Sequence, residues 1–163
     1  MDKTIAPVIA LSGLTLKRHD RGPGIGANGA NFTRAMGLTM LGASYFEVQP
    51  GESAFPFHVH YLEDEIIVIL EGEGTYRFGE TSHKVTVGDV LGAPAGRAEL
   101  AHQLTNTGTG VLKYICVANQ TETNVVELPE QGVLRVHDRK PGGYESIELP
   151  TPAKGLNEID DQS

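Results

Sequence analysis

Short apolar runs alternate with turn-forming residues along most of the chain. Pro50-Gly51, Gly79 and Gly88-Asp89 interrupt the runs at close intervals, as turns between hairpin-linked strands do. No segment between the turns shows a helical period of useful length. The pattern therefore predicts an all-β fold, a sandwich or a small barrel. The predicted strands are Leu38–Val48, Glu65–Leu70, Thr75–Phe78, His83–Val87, Val90–Ala93, His102–Asn106, Val111–Ala118, Val125–Leu128 and Val133–Val136.

The first 37 residues carry little strand or helix pattern outside Ile5–Leu16. They include the glycine-rich stretch Arg21–Gly29, which contains a G-x-G-x-x-G sequence. A dinucleotide site would need a strand leading into these glycines and a helix following them, and neither is indicated. We therefore expect a loop here that binds no nucleotide cofactor.

The strand Glu65–Leu70 is apolar at almost every position. Because alternate side chains point to opposite faces, Glu65, Ile67 and Ile69 share one face, predicted to point inward. The other face is equally apolar, which predicts a strand covered on both sides.

Composition narrows the classes of partner and compartment. The chain has 20 Gly and 9 Pro in 163 residues, a turn-rich content that agrees with many short strands. Its net charge of -8 argues against nucleic acid and against a polybasic membrane anchor. The lone Cys116 cannot close an intramolecular disulfide, and no run approaches the roughly 18 apolar residues of a membrane span. We expect a cytoplasmic protein without membrane or nucleic-acid partners.

Histidine spacing indicates a metal site. His58 and His60 are two residues apart, so an extended strand presents both imidazoles on one face. Glu65 follows at an odd offset, and the polar residues before it suggest a bend that returns its carboxylate to that face. His102 lies on a later strand. Asp64 would take the place of Glu65 if the bend ran one residue differently.

Three neutral imidazoles and one carboxylate suit one divalent metal ion: manganese, iron, nickel, zinc or cobalt. Such a site keeps a net charge of about +1, which favours chelating or anionic oxygen ligands. We expect no metal binding by His19, His83 or His137, each of which stands alone in the sequence. Cys116 is interpreted as a small buried apolar residue.

These residues resemble the conserved motifs of the cupin superfamily. Gly51 to Gly72 is similar to the first cupin motif, with H-x-H, four residues, Glu, six residues and Gly. Gly88, Pro94, Gly96, His102 and Asn106 are similar to the second motif. Two spacings depart from the motifs. Six residues rather than five separate Gly51 from His58, and five rather than two separate Gly96 from His102. The second departure implies a longer loop on the rim of the pocket, directly before His102.

The resemblance implies a double-stranded β-helix, or jelly-roll, cupin barrel with N- and C-terminal strand extensions. The conserved barrel would cover about residues 38–120 of one domain spanning 1–163, flanked by extensions 1–37 and 121–163, with a loosely ordered tail from about 149. It also implies the metal ligands His58, His60, Glu65 and His102. Together with strand extensions that would otherwise leave exposed edges, it favours a homodimer.

Function is less constrained than fold. The resemblance favours an enzyme acting on a small oxygenated metabolite, isomerase-like on a sugar or sugar phosphate. A metal-dependent dioxygenase and a ligand-binding cupin without turnover remain alternatives. The sequence identifies no general base, and Arg77, Arg97 or Lys113 could hold a phosphate. The residues expected to line the pocket are Phe55, Phe57, Tyr61, Arg77, Arg97 and Tyr114.

Overall fold

The computed structural model describes residues 5–140 and 143–151. Within these residues the chain forms thirteen strands and two short 3₁₀ turns, Leu11–Gly13 and Ala98–Leu100, and no α-helix. The strands are β1 (Lys17–Gly22), β2 (Ile25–Asn31), β3 (Leu41–Val48), β4 (Val59–His60), β5 (Glu65–Glu71), β6 (Glu73–Phe78), β7 (Thr81–Thr86), β8 (Val90–Ala93), β9 (His102–Thr105), β10 (Leu112–Asn119), β11 (Thr123–Leu128), β12 (Val133–Lys140) and β13 (Gly143–Pro150). The all-β prediction is confirmed.

The strands pair antiparallel in three groups. Six strands form a sheet in the order β1-β2-β3-β10-β5-β8. Four more follow the order β13-β12-β11-β4, and the remaining three follow β7-β6-β9. Strands far apart in the chain become neighbours, as where β10 lies between β3 and β5. The sheets thereby bring the start of β5, the short β4 and the start of β9 into one region.

The main core lies between the sheets. Strand β5 contributes Ile67 and Ile69, and it packs beside Leu104, Leu112 and Tyr114. Burying such side chains removes apolar surface from water and supplies the principal stabilisation of a β fold. The inward face predicted for Glu65, Ile67 and Ile69 agrees with their burial.

The opposite face of β5 differs from the sequence prediction. Ile66 is 51% exposed and Leu70 is 37% exposed, so in the described part of the chain this face is not fully covered. A strand that is apolar on both faces is compatible with burial on both sides, but the sequence pattern does not show whether a second layer covers it.

The stretch Arg21–Gly29 was expected to be a loop and instead belongs largely to a hairpin. β1 and β2 pair antiparallel from Lys17 opposite Gly29 to Gly22 opposite Ile25. Gly22 and Gly24 both have positive φ values, which the tight connection requires. Gly29 faces the ring of Phe46, where an added Cβ would lie 2.7 Å from the ring carbons. Close approach to the Phe46 ring therefore explains the glycine at position 29.

Both ends of the chain differ from prediction in other respects. Ile5–Leu16 carries the most pattern in the first 37 residues but forms no strand, only the 3₁₀ turn within it. At the other end β13 extends to Pro150, past the predicted start of the tail at Leu149. The rest of that tail, residues 152–163, lies outside the described residues. Within the described ranges, no helix is long and apolar enough to cross a membrane.

Candidate functional site

His58 and His102 face each other through a pair of backbone hydrogen bonds. The His58 amide donates to the His102 carbonyl at 3.1 Å, and the His102 amide donates to the His58 carbonyl at 2.7 Å. Their rings follow at a centroid distance of 4.5 Å. The five-residue spacing after Gly96 is accommodated by the 3₁₀ turn Ala98–Leu100, which leaves His102 at the start of β9.

Glu65 completes the group from the first position of β5. Its Oε2 lies 3.1 Å from Nε2 of His102, and its Oε1 lies 3.7 Å from Nε2 of His60. Ligand atoms of His58, His60 and Glu65 all lie within 4.8 Å of one another. The chain bends between β4 and β5, so the odd offset between His60 and Glu65 still brings both side chains together.

Asp64 points elsewhere. Its carboxylate accepts a hydrogen bond from the backbone amide of Ala95 at 2.7 Å, and its own amide donates to Asn119. In this structure it is therefore the carboxylate of Glu65, and not that of Asp64, that contacts the histidines.

Neighbouring groups orient two of the three rings through Nδ1. His58 Nδ1 lies 2.8 Å from the Pro56 carbonyl oxygen, a contact in which the ring nitrogen donates and Nε2 stays available. His60 Nδ1 lies 2.7 Å from Nδ2 of Asn124. Within the described residues, His102 Nδ1 and Asn124 Oδ1 are buried without a hydrogen-bond partner.

The protonation states suit cation binding. Burial, followed by the charge of His102, lowers the pKa of His58 to about 3, so its imidazole is neutral near pH 7. Burial opposes ionisation of Glu65, but the hydrogen bond from His102 and the charges of the histidines outweigh it and lower the pKa of that carboxyl. Metal ions bind deprotonated ligands. The residues present could therefore hold a divalent metal ion.

A cavity of about 300 Å³ opens beside this group. One side of it is formed by Phe55 with the metal-ligating candidates, and the other by the C-terminal strands β11 to β13. Its charged and polar lining outside the ligand group consists of Arg21, Glu63, Thr121, Asn124, Arg135, His137, Arg139 and Tyr144. The sequence singled out none of these as pocket residues.

A second, smaller space of about 20 Å³ lies behind Glu65. Cys116 lines it, and its thiol donates to Oε1 of Glu65 at 3.3 Å. Burial raises the pKa of Cys116, and the neighbouring Glu65 charge acts in the same direction, so the group stays a neutral thiol. Burial likewise raises the pKa of Tyr114 in the same wall.

The predicted pocket residues divide into two sets. Phe55 lines both cavities, and Tyr114 lines the smaller one. The other four form two cation–aromatic pairs away from these cavities: Arg77 over Phe57 at 3.7 Å and Arg97 over Tyr61 at 4.0 Å. The remaining candidate cation, Lys113, pairs with Glu71 at 2.8 Å.

Long-range contacts explain why the sequence pattern did not predict the cavity wall formed by β11 to β13. Asn124 on β11 donates to Oε2 of Glu63, and Arg139 on β12 pairs with Oε1 of the same carboxylate at 3.0 Å. These residues lie about sixty to eighty positions from the histidine pair and belong to strands whose sequence pattern is weak. The pairing of β11 with β4 brings them to the pocket.

A family model and several solved structures are similar to this chain. Residues 44–118 match the family model described as a cupin domain. One similar solved structure is a sugar phosphate isomerase from a cupin superfamily, from the organism Silicibacter pomeroyi. It superposes with a TM-score of 0.75 at 21% identity, and the match covers 86% of this chain and 92% of that one. A protein named as a candidate sugar phosphate isomerase from Acidithiobacillus ferrooxidans gives 0.73 at 23% identity, covering 86% and 90%.

A further similar structure is a predicted oxalate decarboxylase from Thermotoga maritima, with a TM-score of 0.59 at 26% identity, covering 70% of this chain and 99% of that one. No curated protein sequence matches the chain. The likeness to the first two structures shows the fold alone. The jelly-roll prediction and the resemblance stated from the sequence motifs are confirmed.

Proposed function

We propose, on the premise that residues 44–118 are a cupin domain, that the protein binds one divalent metal ion and isomerises a small oxygenated metabolite, a sugar or sugar phosphate, beside it. The proposed metal ligands are His58, His60, Glu65 and His102. The proposed reaction takes place in the cavity of about 300 Å³ that His58, His60 and Glu65 help to line.

One observation carries the metal proposal. The Glu65 carboxylate lies between Nε2 of His102, at 3.1 Å, and Nε2 of His60, at 3.7 Å, with the neutral His58 beside them. Three imidazoles and one carboxylate are a ligand set typical of first-row divalent ions and leave coordination positions open. Bound there, a divalent ion would stabilise negative charge on substrate oxygens.

The proposed isomerisation only moves protons, so it needs no oxidant or reductant. One proton leaves the hydroxyl-bearing carbon and is returned to the neighbouring carbonyl carbon, while the hydroxyl proton passes to the carbonyl oxygen. The chain must therefore supply a group that accepts and returns a proton in the pocket.

His137 is our candidate for that group. It lines the cavity from β12, and its ring contacts Tyr144 edge to face at a centroid distance of 4.9 Å. Burial, followed by the charges of His60 and Arg135, lowers the pKa of His137, so the imidazole is neutral and can accept a proton. Its place on the pocket wall, apart from the ligand group, suits proton transfer to a bound substrate.

Metal content tests the first half of the proposal. The protein is purified without a histidine tag or chelator and subjected to elemental analysis, beside His58→Ala, His102→Ala and the control His19→Ala on the exposed strand β1. We expect near-stoichiometric metal in the parent and the control, and little in the other two. A folded parent that contains no metal and binds none when it is added would contradict the proposal.

Turnover tests the second half. Aldoses, ketoses and their phosphates are incubated with metal-loaded protein, and isomer formation is followed by NMR in deuterated water. Deuterium incorporation next to the carbonyl is expected, and His137→Gln should lower the rate without lowering metal content. Oxygen consumption without isomerisation would favour the dioxygenase alternative, and saturable binding without product would favour a ligand-binding protein; either result would overturn the isomerase proposal.

A further inference from the structure

Arg21 differs from the other arginines around the pocket in how its charge is balanced. Arg135 pairs with Glu148 at 2.8 Å, and Arg139 pairs with Glu63 at 3.0 Å. Arg21 also lines the cavity, but within residues 5–140 and 143–151 no carboxylate pairs with it. The pocket therefore contains a cation whose charge is not neutralised by a described neighbour.

The guanidinium of Arg21 is nevertheless held in place. It lies over the ring of Phe55 at 4.5 Å, and Nη1 donates to the Ala54 carbonyl oxygen at 3.3 Å. The residue as a whole is exposed, but its guanidinium leans into the pocket, and this partial burial lowers the pKa of Arg21. The charge of the nearby Arg135 acts in the same direction. A planar fork of N–H donors fixed in a partly enclosed space is well suited to bind a carboxylate or a phosphate.

Arg21 is also close to the proposed metal ligands. The Phe55 ring that stacks under its guanidinium lies 5.7 Å, centroid to centroid, from the ring of His58. A single aromatic side chain thus separates the free cation from the imidazole group, and both line the same cavity. A metabolite of a few carbons could place one end at each.

A neighbouring arginine provides a direct contrast. Arg18 lies three residues earlier on β1 and is paired with two carboxylates, those of Glu52 at 2.6 Å and Asp20 at 2.8 Å. It does not line the cavity. The β1–β2 hairpin therefore carries one arginine neutralised at the surface and one presented to the pocket.

We propose that Arg21 binds the anionic group, phosphate or carboxylate, of the metabolite whose oxygenated carbons face His58, His60 and Glu65. The inference rests on the proposed function and narrows its substrate to an anionic sugar derivative. Arg21 selects among substrates by charge, and the metal-ligating group is not required for this contact.

The test is a binding titration by calorimetry with three probes of matched shape: glucose 6-phosphate, glucuronate and uncharged glucose. Metal-loaded parent, Arg21→Gln, Arg21→Lys and the control Arg18→Gln are compared, and metal content is measured on each sample. We expect Arg21→Gln to weaken binding of at least one anion by about ten-fold or more, as the loss of one charge-assisted contact does. Arg21→Lys should weaken it less, while Arg18→Gln should stay within two-fold of the parent.

The probes distinguish the two anions and the two proposals. A preference for glucose 6-phosphate or for glucuronate identifies the group that Arg21 binds. Equal affinity of Arg21→Gln and the parent, or no anion binding by a fully metal-loaded parent, would overturn the inference and leave the metal proposal intact. A parent without metal whose anion binding still depends on Arg21 would instead overturn the proposed function and support the anion site.

Discussion

Replacement of Asn124 by alanine tests whether the C-terminal strands position the proposed metal ligands. Asn124 is 4% exposed, and its amide nitrogen lies 2.7 Å from His60 Nδ1 and 2.8 Å from Oε2 of Glu63. It thereby fixes the ring that directs Nε2 toward Glu65. A metal bound to Nε2 would require the proton on Nδ1, and Oδ1 of Asn124, which is buried without a hydrogen-bond partner, could accept it after a turn of the amide. Asn124→Ala removes this contact without removing any proposed metal ligand.

The expected loss of metal affinity follows from the contact of Asn124 with His60, a proposed metal ligand. Loss of a residue that orients a metal-binding histidine typically lowers metal affinity by about 10- to 100-fold, or about 1.4–2.8 kcal/mol. A buried contact to a charged carboxylate is lost as well, which we expect to cost about 1–3 kcal/mol of folding stability. The two effects are separable because affinity is measured on folded protein.

Zinc affinity is measured by competition with a chromophoric chelator, and stability by urea unfolding of the metal-free protein. The matched control is Asn28→Ala on β2, an asparagine for which the described residues provide no side-chain hydrogen bond. It should match the parent in both measurements. A folded Asn124→Ala protein that binds zinc within two-fold of the parent would refute the argument that Asn124 positions His60.

Three other outcomes follow from the fold. Asn106 is fully buried; it donates to the carbonyls of Val48 and Gly110 and accepts from the Gly108 amide. Asn106→Ala should therefore lower the free energy of unfolding, measured in urea titrations, by about 3 kcal/mol. A loss under about 1 kcal/mol would contradict this. Gly29→Ala forces a Cβ against the Phe46 ring and should cost about 1–3 kcal/mol, whereas an added Cβ at a strand glycine in open space, Gly92, should cost far less. Within the described residues β13 pairs only with β12, so its free edge can join a second copy of the chain. Light scattering should therefore give a molecular mass of twice 17.5 kDa. A monomer mass at micromolar concentration would count against the homodimer predicted from the sequence.

Local chemistry explains which parts of the fold were predictable. The strand Val90–Ala93 lies as predicted, and most strands from β3 to β11 differ from prediction by a few residues at their ends. Turn residues separate these strands, and an apolar alternation identifies each one. The H-x-H pair and the following glutamate were predictable for the same reason, because strand periodicity and one bend place them within a short stretch of chain.

Features that depend on distant contacts were not predictable in this way. The sequence Ile25–Asn31 has the composition of a loop. It becomes a strand because Gly29 leaves room for the Phe46 ring and because its backbone pairs with β1 and β3. Exposure of Ile66 and Leu70 depends on what lies over the outer face of β5, which an apolar pattern does not reveal.

The sequence by itself determined the all-β class, most strand positions and the residues able to ligate a metal, because each of these follows from side-chain type and spacing within one segment. Only the tertiary structure decided what surrounds those ligands. It turned Arg77 and Arg97 onto aromatic rings outside the cavity, and it brought Arg21 and His137 to its walls from opposite ends of the chain. Pairing of strands about 65 to 80 residues apart in the sequence, β3 with β10 and β4 with β11, creates that arrangement. The free energy that selects it comes from burial and hydrogen bonding between segments, which no single stretch of sequence contains.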